Sequence, residues 1–176
     1  MTSNTGRDAA KNVLDVTEGP LELGDLAGIR RVGSDMVEQA RLQVLLFSQE
    51  LDPLVYDHPP FLQALQRLAL QHAPRARIRI LLLDNQRMIK HGHRLLELAR
   101  RLTSTLELRR PIAEYRERQD EFLLVDQSAY LHREQGAAAQ AVASYRDPLK
   151  ARNLQGAFHE IWEHSEPDPE IRRLYL

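Results

Sequence analysis

Apolar positions along the chain fall into two kinds of run. RLQVLLFS at 41–48 and RIRILLLD at 77–84 are nearly continuous aliphatic and β-branched stretches, the pattern of strands buried on both faces of a sheet. Other segments place apolar residues three and four apart, as one face of a helix requires. Phe61, Leu65 and Leu68 do so with Leu62 and Ala69, and Met88, Leu95, Leu96, Ala99 and Leu102 trace a second stripe. Leu154, Ala157, Phe158, Ile161 and Trp162 form a third.

Boundary residues frame these runs. Ser34 is a predicted N-cap for a helix through Met36, Val37 and Ala40, with Gly33 just outside it. LDPLVYDHPP reads as a loop, with Pro60 opening the next helix and Ala73-Pro74 closing it. Asp84-Asn85 cap a predicted helix over MIKHGHRLLELARRL. LELRR at 106–110 is a short strand, and EFLLVD at 121–126 with SAYLHR at 128–133 predicts a hairpin. In AQAVASY at 139–145 the alanines favour helix and Val142, Ser144 and Tyr145 favour strand; we read a strand. Asp147 as N-cap and Pro148 at the first helical position start a last helix that ends near Ser165, before a tail that adds a turn or docks. No internal repeat is present.

The expectation is an α/β fold: a mixed sheet of about five to seven strands, with helices on both faces. Residues 1–20 are polar, aperiodic and closed by Gly19-Pro20, and are expected to form a flexible N-terminal arm to a single domain over 21–176.

Composition adds constraints. The apolar runs fall far short of a membrane span. The N-terminal stretch lacks the basic and apolar blocks of a secretory signal, so no membrane association and a bacterial-type cytoplasm are expected. With no cysteine there is no disulfide framework, thiolate metal site or thiol nucleophile. The net charge of −1 conceals an asymmetry: Ala73 to Arg118 holds twelve Lys/Arg against five Asp/Glu. Such a surplus steers anions if exposed and does nothing of the kind if paired with acidic neighbours.

The order of elements, the hairpin EFLLVD-x-SAYLHR and the closing helix with Phe158 and Trp162 resemble the phospholipase D superfamily over residues 32–165. In that family a strand carries H-x-K-x-x-x-x-D. The histidine attacks phosphorus, the lysine neutralises charge building on the phosphoryl oxygens, and the aspartate shapes the site. Aligning Asp126 with the aspartate puts Gln119 at the histidine position and Glu121 at the lysine position. Glutamine offers no nucleophilic nitrogen, and a glutamate adds charge where the mechanism removes it. The resemblance therefore implies a half-domain of phospholipase D-like fold with a degenerate motif and no phosphodiesterase activity. Single-motif members of the family assemble one site from two subunits, so the resemblance also implies a homodimer. By itself, Asp126 has an ordinary role as a residue that ends a strand and starts a turn.

Three other constellations stand beside this one. His91-Gly92-His93, with His58 and His72 elsewhere, lacks the helical spacing of a metal pair, so surface or capping roles are expected and no metal or cofactor is assigned. Arg133-Glu134-Gln135-Gly136-Ala137-Ala138 fits the R-x-x-G-x-A turn by which GNAT-type acetyltransferases bind acetyl-CoA, and fits equally a turn between strands. Among Arg75, Arg77, Arg79, Arg87, Lys90, Arg94, Arg100, Arg101, Arg109 and Arg110, two pairs are spaced to grip an anion: Arg77 with Arg79 on a strand, and Lys90 with Arg94 on a helix. Together with Arg133 these four form the candidate anion-binding set. No aromatic run interleaves with the arginines, so nucleic acid is a less favoured partner than an anionic ligand or a protein. His132, on the strand after Asp126, is the candidate base or nucleophile for a phosphodiesterase that recruits other residues.

Overall fold

The computed structural model describes residues 11–134 and 139–169. Its strands are β1 (Leu21–Leu23), β2 (Gln43–Ser48), β3 (Arg77–Leu82), β4 (Leu106–Pro111), β5 (Glu121–Val125), β6 (Ala129–Arg133), β7 (Ala141–Ser144) and β8 (Ser165–Pro167). The helices are α1 (Leu26–Glu38), α2 (Pro53–Tyr56), α3 (Pro59–Gln71), α4 (Gln86–His91), α5 (Arg94–Arg101) and α6 (Pro148–Glu163), with a 3-10 turn at Ala113–Glu117. All eight strands form one mixed sheet in the order β1-β7-β6-β5-β2-β3-β4-β8. β2, β3 and β4 run parallel, and β5 pairs antiparallel to β2 with Phe47 opposite Phe122. None of the described helices is long and apolar enough to cross a membrane.

The strand period sets two cores. Val44 and Leu46 of β2, Ile78, Ile80 and Leu82 of β3, and Leu123 and Val125 of β5 meet α1, α3 and α5. Leu45, Phe47, Leu81, Phe122 and Leu124 meet α6 through Leu154, Phe158, Ile161 and Trp162, with Tyr115 of the 3-10 turn packed at the edge. Each such side chain contributes roughly 1.5–3 kcal/mol when fully buried, so α6 is fastened mainly by these apolar residues. Asp147 holds its first turn by accepting from the Lys150 amide at 3.0 Å.

The mixed α/β sheet with helices on both faces is found as expected, with departures of local origin. The strand count exceeds the expected five to seven because β1 and β8 are three-residue edge strands with no apolar run to mark them. The first helix starts at Leu26, capped by Asp25 (2.6 Å to the Gly28 amide). Ser34 lies inside it and donates to the Arg30 carbonyl at 2.8 Å, the mid-helix alternative to capping. The proline-rich loop contains the short α2.

The helix expected over MIKHGHRLLELARRL is two helices. Gly92 takes φ +76°, in the left-handed region that ends α4, and His93 restarts the chain as N-cap of α5. Within the segment expected as an arm, Leu14 donates to Gln39 Oε1 (2.9 Å) and Asp15 to the Tyr145 carbonyl (3.0 Å), so residues 14–15 lie against the domain. Residues 1–10 and the tail beyond 169 fall outside the described residues.

Candidate functional site

β5 begins where the parallel strands end, so Glu121 stands beside Ser48 at the carboxyl end of β2, where ligands of open α/β sheets gather. Its side chain is buried and saturated. Ser48 Oγ donates to Oε2 at 2.6 Å, Tyr56 OH to Oε1 at 2.7 Å, and Arg133 Nη1 to Oε1 at 2.9 Å. Burial, and then the Glu121 charge, push the Tyr56 hydroxyl well above its ordinary pKa, so it remains a donor. Glu121 is thus neutralised inside the protein by Arg133. The preceding Gln119 is exposed.

His132 lies on the other face of the sheet, edge-on to Phe122, with Nε2 3.0 Å from Asp120 Oδ2. Arg118 donates to the same carboxylate at 2.9 Å. Burial would raise the Asp120 pKa, but the hydrogen bonds from His132 and Arg118 and their charges outweigh it and hold it at about 2. Arg118 also lies over Phe47 and Phe122, at 5.5 and 5.6 Å from the ring centroids, and so covers the α6 core.

Asp126 is at the far end of β5, about 17 Å away at the usual rise per residue. Its carboxylate accepts from the amides of Leu42 (2.8 Å), Gln43 (3.0 Å) and Arg41 (3.2 Å), with its own φ at +54°. Asp126 therefore ties the turn after β5 to the start of β2.

The basic candidates are dispersed. Arg77 is exposed and donates to the carbonyls of Pro74 and Ala76, while Arg79 lies 5.1 Å from the Trp162 centroid on the α6 face. Arg109 takes the same ring at 4.5 Å and also pairs with Glu107. Lys90 and Arg94 do not share a helix, a correction that follows from the break at Gly92, and Arg94 pairs with Asp57 at 2.7 Å. Arg133 is committed to Glu121 on the face opposite Arg79. It closes β6, and the next strand begins at Ala141; the rest of the proposed acetyl-CoA turn, including Gly136 and Ala138, includes residues 135–138, outside the described residues. His93 acts as a cap: Nδ1 accepts from the Leu95 amide and Nε2 lies 3.2 Å from the Leu51 carbonyl.

A crevice of about 350 Å³ opens at the same carboxyl end, lined by the carboxylates of Glu50 and Asp84 together with Gln49, Leu83, Asn85, Gln86, Arg110 and Arg116. Arg110 and Arg116 pair with no carboxylate among the described residues. The sequence carried a signal for this crevice: the polar residues directly after the apolar runs of β2 and β3, at Gln49 and Asp84-Asn85-Gln86, lie where parallel strands present ligand sites.

A family model described as a domain of unknown function, DUF7931, matches residues 26–174. No curated protein matches. Among solved structures, TrmBL2, an archaeal chromatin protein described as showing a novel mode of DNA binding, is similar with a TM-score of 0.62 and 18% identity, over 86% of this chain and 54% of that one. This chain thus spans about half of that protein. Nuc from Salmonella typhimurium, a phospholipase D family member, has a TM-score of 0.59 at 12% identity over 85% and 99% of the two chains. NucT from Helicobacter pylori gives 0.59 at 7% over 85% and 98%. These likenesses establish a phospholipase D-like fold.

Proposed function

The chain belongs to the DUF7931 family, and from that premise and its phospholipase D-like fold we propose a module without phosphodiesterase chemistry that binds an anionic ligand in the crevice at the carboxyl ends of β2 and β3. The supporting observation is the state of Glu121. Phosphoryl transfer needs a cation to take up charge on the phosphoryl oxygens, and this position holds a buried carboxylate whose donors are all internal. Gln119 supplies no nucleophile, and Asp126 is occupied by main-chain amides. Arg110 and Arg116 supply the donors for an anion there, while of the two lining carboxylates Glu50 pairs with Arg87 and Asp84 accepts from the Gln86 amide.

The test is turnover of bis(p-nitrophenyl) phosphate together with calorimetric titration of pyrophosphate. Turnover at background is expected, with one pyrophosphate-binding step that weakens at least about tenfold in an Arg110→Ala/Arg116→Ala variant, the scale of a lost charge-assisted hydrogen bond. Hydrolysis that disappears in His132→Ala would instead make His132 with Asp120 a working pair. Pyrophosphate affinity indifferent to the crevice arginines would remove the ligand half of the proposal.

A second reading, non-specific nucleic-acid binding, is supported by Arg75, Lys90 and Arg101, which are exposed and pair with no carboxylate among the described residues. The DNA-binding chromatin protein that shares the fold adds interest to that reading.

A further inference from the structure

At the amino end of β2, opposite the crevice, lies a cleft of about 610 Å³ that draws its walls from four separate stretches of chain. Arg41 precedes β2, Ser128 belongs to the turn held by Asp126, Arg146 precedes α6, and Arg152 and Gln155 stand three apart on one side of α6. The cleft has two carboxylates, and both are engaged. Asp126 receives the amides of residues 41–43, and Asp15 accepts from the Ser128 hydroxyl.

The guanidiniums are in the opposite condition. Arg41 and Arg152 are exposed and pair with no carboxylate among the described residues. Among the described residues Arg146 pairs with Glu18 alone, at 3.3 Å, with the glutamate side chain 73% exposed. A pair so open to solvent contributes little and is readily displaced.

Three planar donor forks around one cleft, with the local carboxylates turned to internal partners, match a ligand that brings several anionic oxygens. We propose that this cleft binds a small, multiply charged anion of the phosphate class, such as a diphosphate or a phosphomonoester. Its volume is in the range of small-molecule sites, which favours a free phosphorylated ligand over a polymer lying across the surface. The site shares no residue with the crevice, so the two stand or fall separately.

Pyrophosphate titrated into the full chain by calorimetry is the test, with a short single-stranded oligonucleotide as a parallel arm. A saturable binding step separate from that of the crevice is expected, weakened about tenfold or more in each of Arg41→Ala and Arg152→Ala and retained in Arg110→Ala/Arg116→Ala. Both single substitutions alter exposed side chains, so unliganded melting temperatures should match the parent. Arg152→Lys, which keeps the charge and loses the fork, should fall between the parent and Arg152→Ala. Absence of saturable binding, affinity equal to the parent's in both alanine variants, or loss of all binding in the crevice variant would overturn the proposal. So would oligonucleotide binding through these arginines with no binding of pyrophosphate.

Discussion

The Asp126 carboxylate carries more of the fold than its place in a turn suggests, because three main-chain amides, from residues 83, 84 and 85 positions earlier, converge on it. Replacing it by asparagine leaves one acceptor oxygen and turns an amide NH₂ toward amide donors. Asp126→Asn is expected to lose about 2–4 kcal/mol, on the scale of charge-assisted bonds broken with donors left unsatisfied. Urea unfolding at neutral pH would measure it; a midpoint unchanged from the parent would contradict the clamp. The turn role of Asp126 was legible in the sequence from its position after an apolar run. The role of Glu121 was not, since Ser48 and Tyr56 lie 73 and 65 residues away and only the folded sheet brings them to one carboxylate.

At the scale of elements, the joint between α4 and α5 depends on one neutral imidazole. His93 is buried, accepts the Leu95 amide through Nδ1, and offers Nε2 to the Leu51 carbonyl. Protonating Nδ1 would remove the cap. Burial lowers the His93 pKa below its ordinary value, and Arg94 works in the same direction, against Asp57 and the Leu51 carbonyl, which raise it. A depressed folded-state pKa means that the stabilisation is present above the unfolded value, near 6.5, and is lost as pH falls through the folded one. Melting temperature should therefore decline on acidification below about pH 6.5, and less so in His93→Asn, which keeps a capping acceptor without titrating. His93→Ala should cost about 1 kcal/mol at neutral pH. Equal acid sensitivity in parent and His93→Asn would place the titration elsewhere. The apolar stripe through both helices was plain in the sequence, but the break was not, because it rests on the backbone angle of Gly92 rather than on any gap in the stripe.

For the whole molecule, the question is how much of the basic surplus between Ala73 and Arg118 faces solvent unpaired. Folding engages much of it: Arg87 with Glu50, Arg94 with Asp57, Arg109 with Glu107, and Arg118 with Asp120. Arg79 and Arg109 lie against Trp162, and Arg77 against local carbonyls. The sequence displayed the surplus but not its partners, which lie in other elements. Arg75, Lys90 and Arg101 are exposed without a carboxylate partner among the described residues. If these three meet duplex phosphates, binding should be weak, with a slope of log K on log salt no steeper than about −3, since each neutralised phosphate contributes about −0.9. A fluorescent duplex titrated across a salt series gives the slope. A value near −6 would mean that further arginines join the contact: Arg41, Arg110, Arg116 and Arg152, without a carboxylate partner among the described residues, before those held in ion pairs. A shallow slope, or no binding at low salt, would leave the anion sites to small ligands and assign the paired arginines to holding the sheet and its helices together.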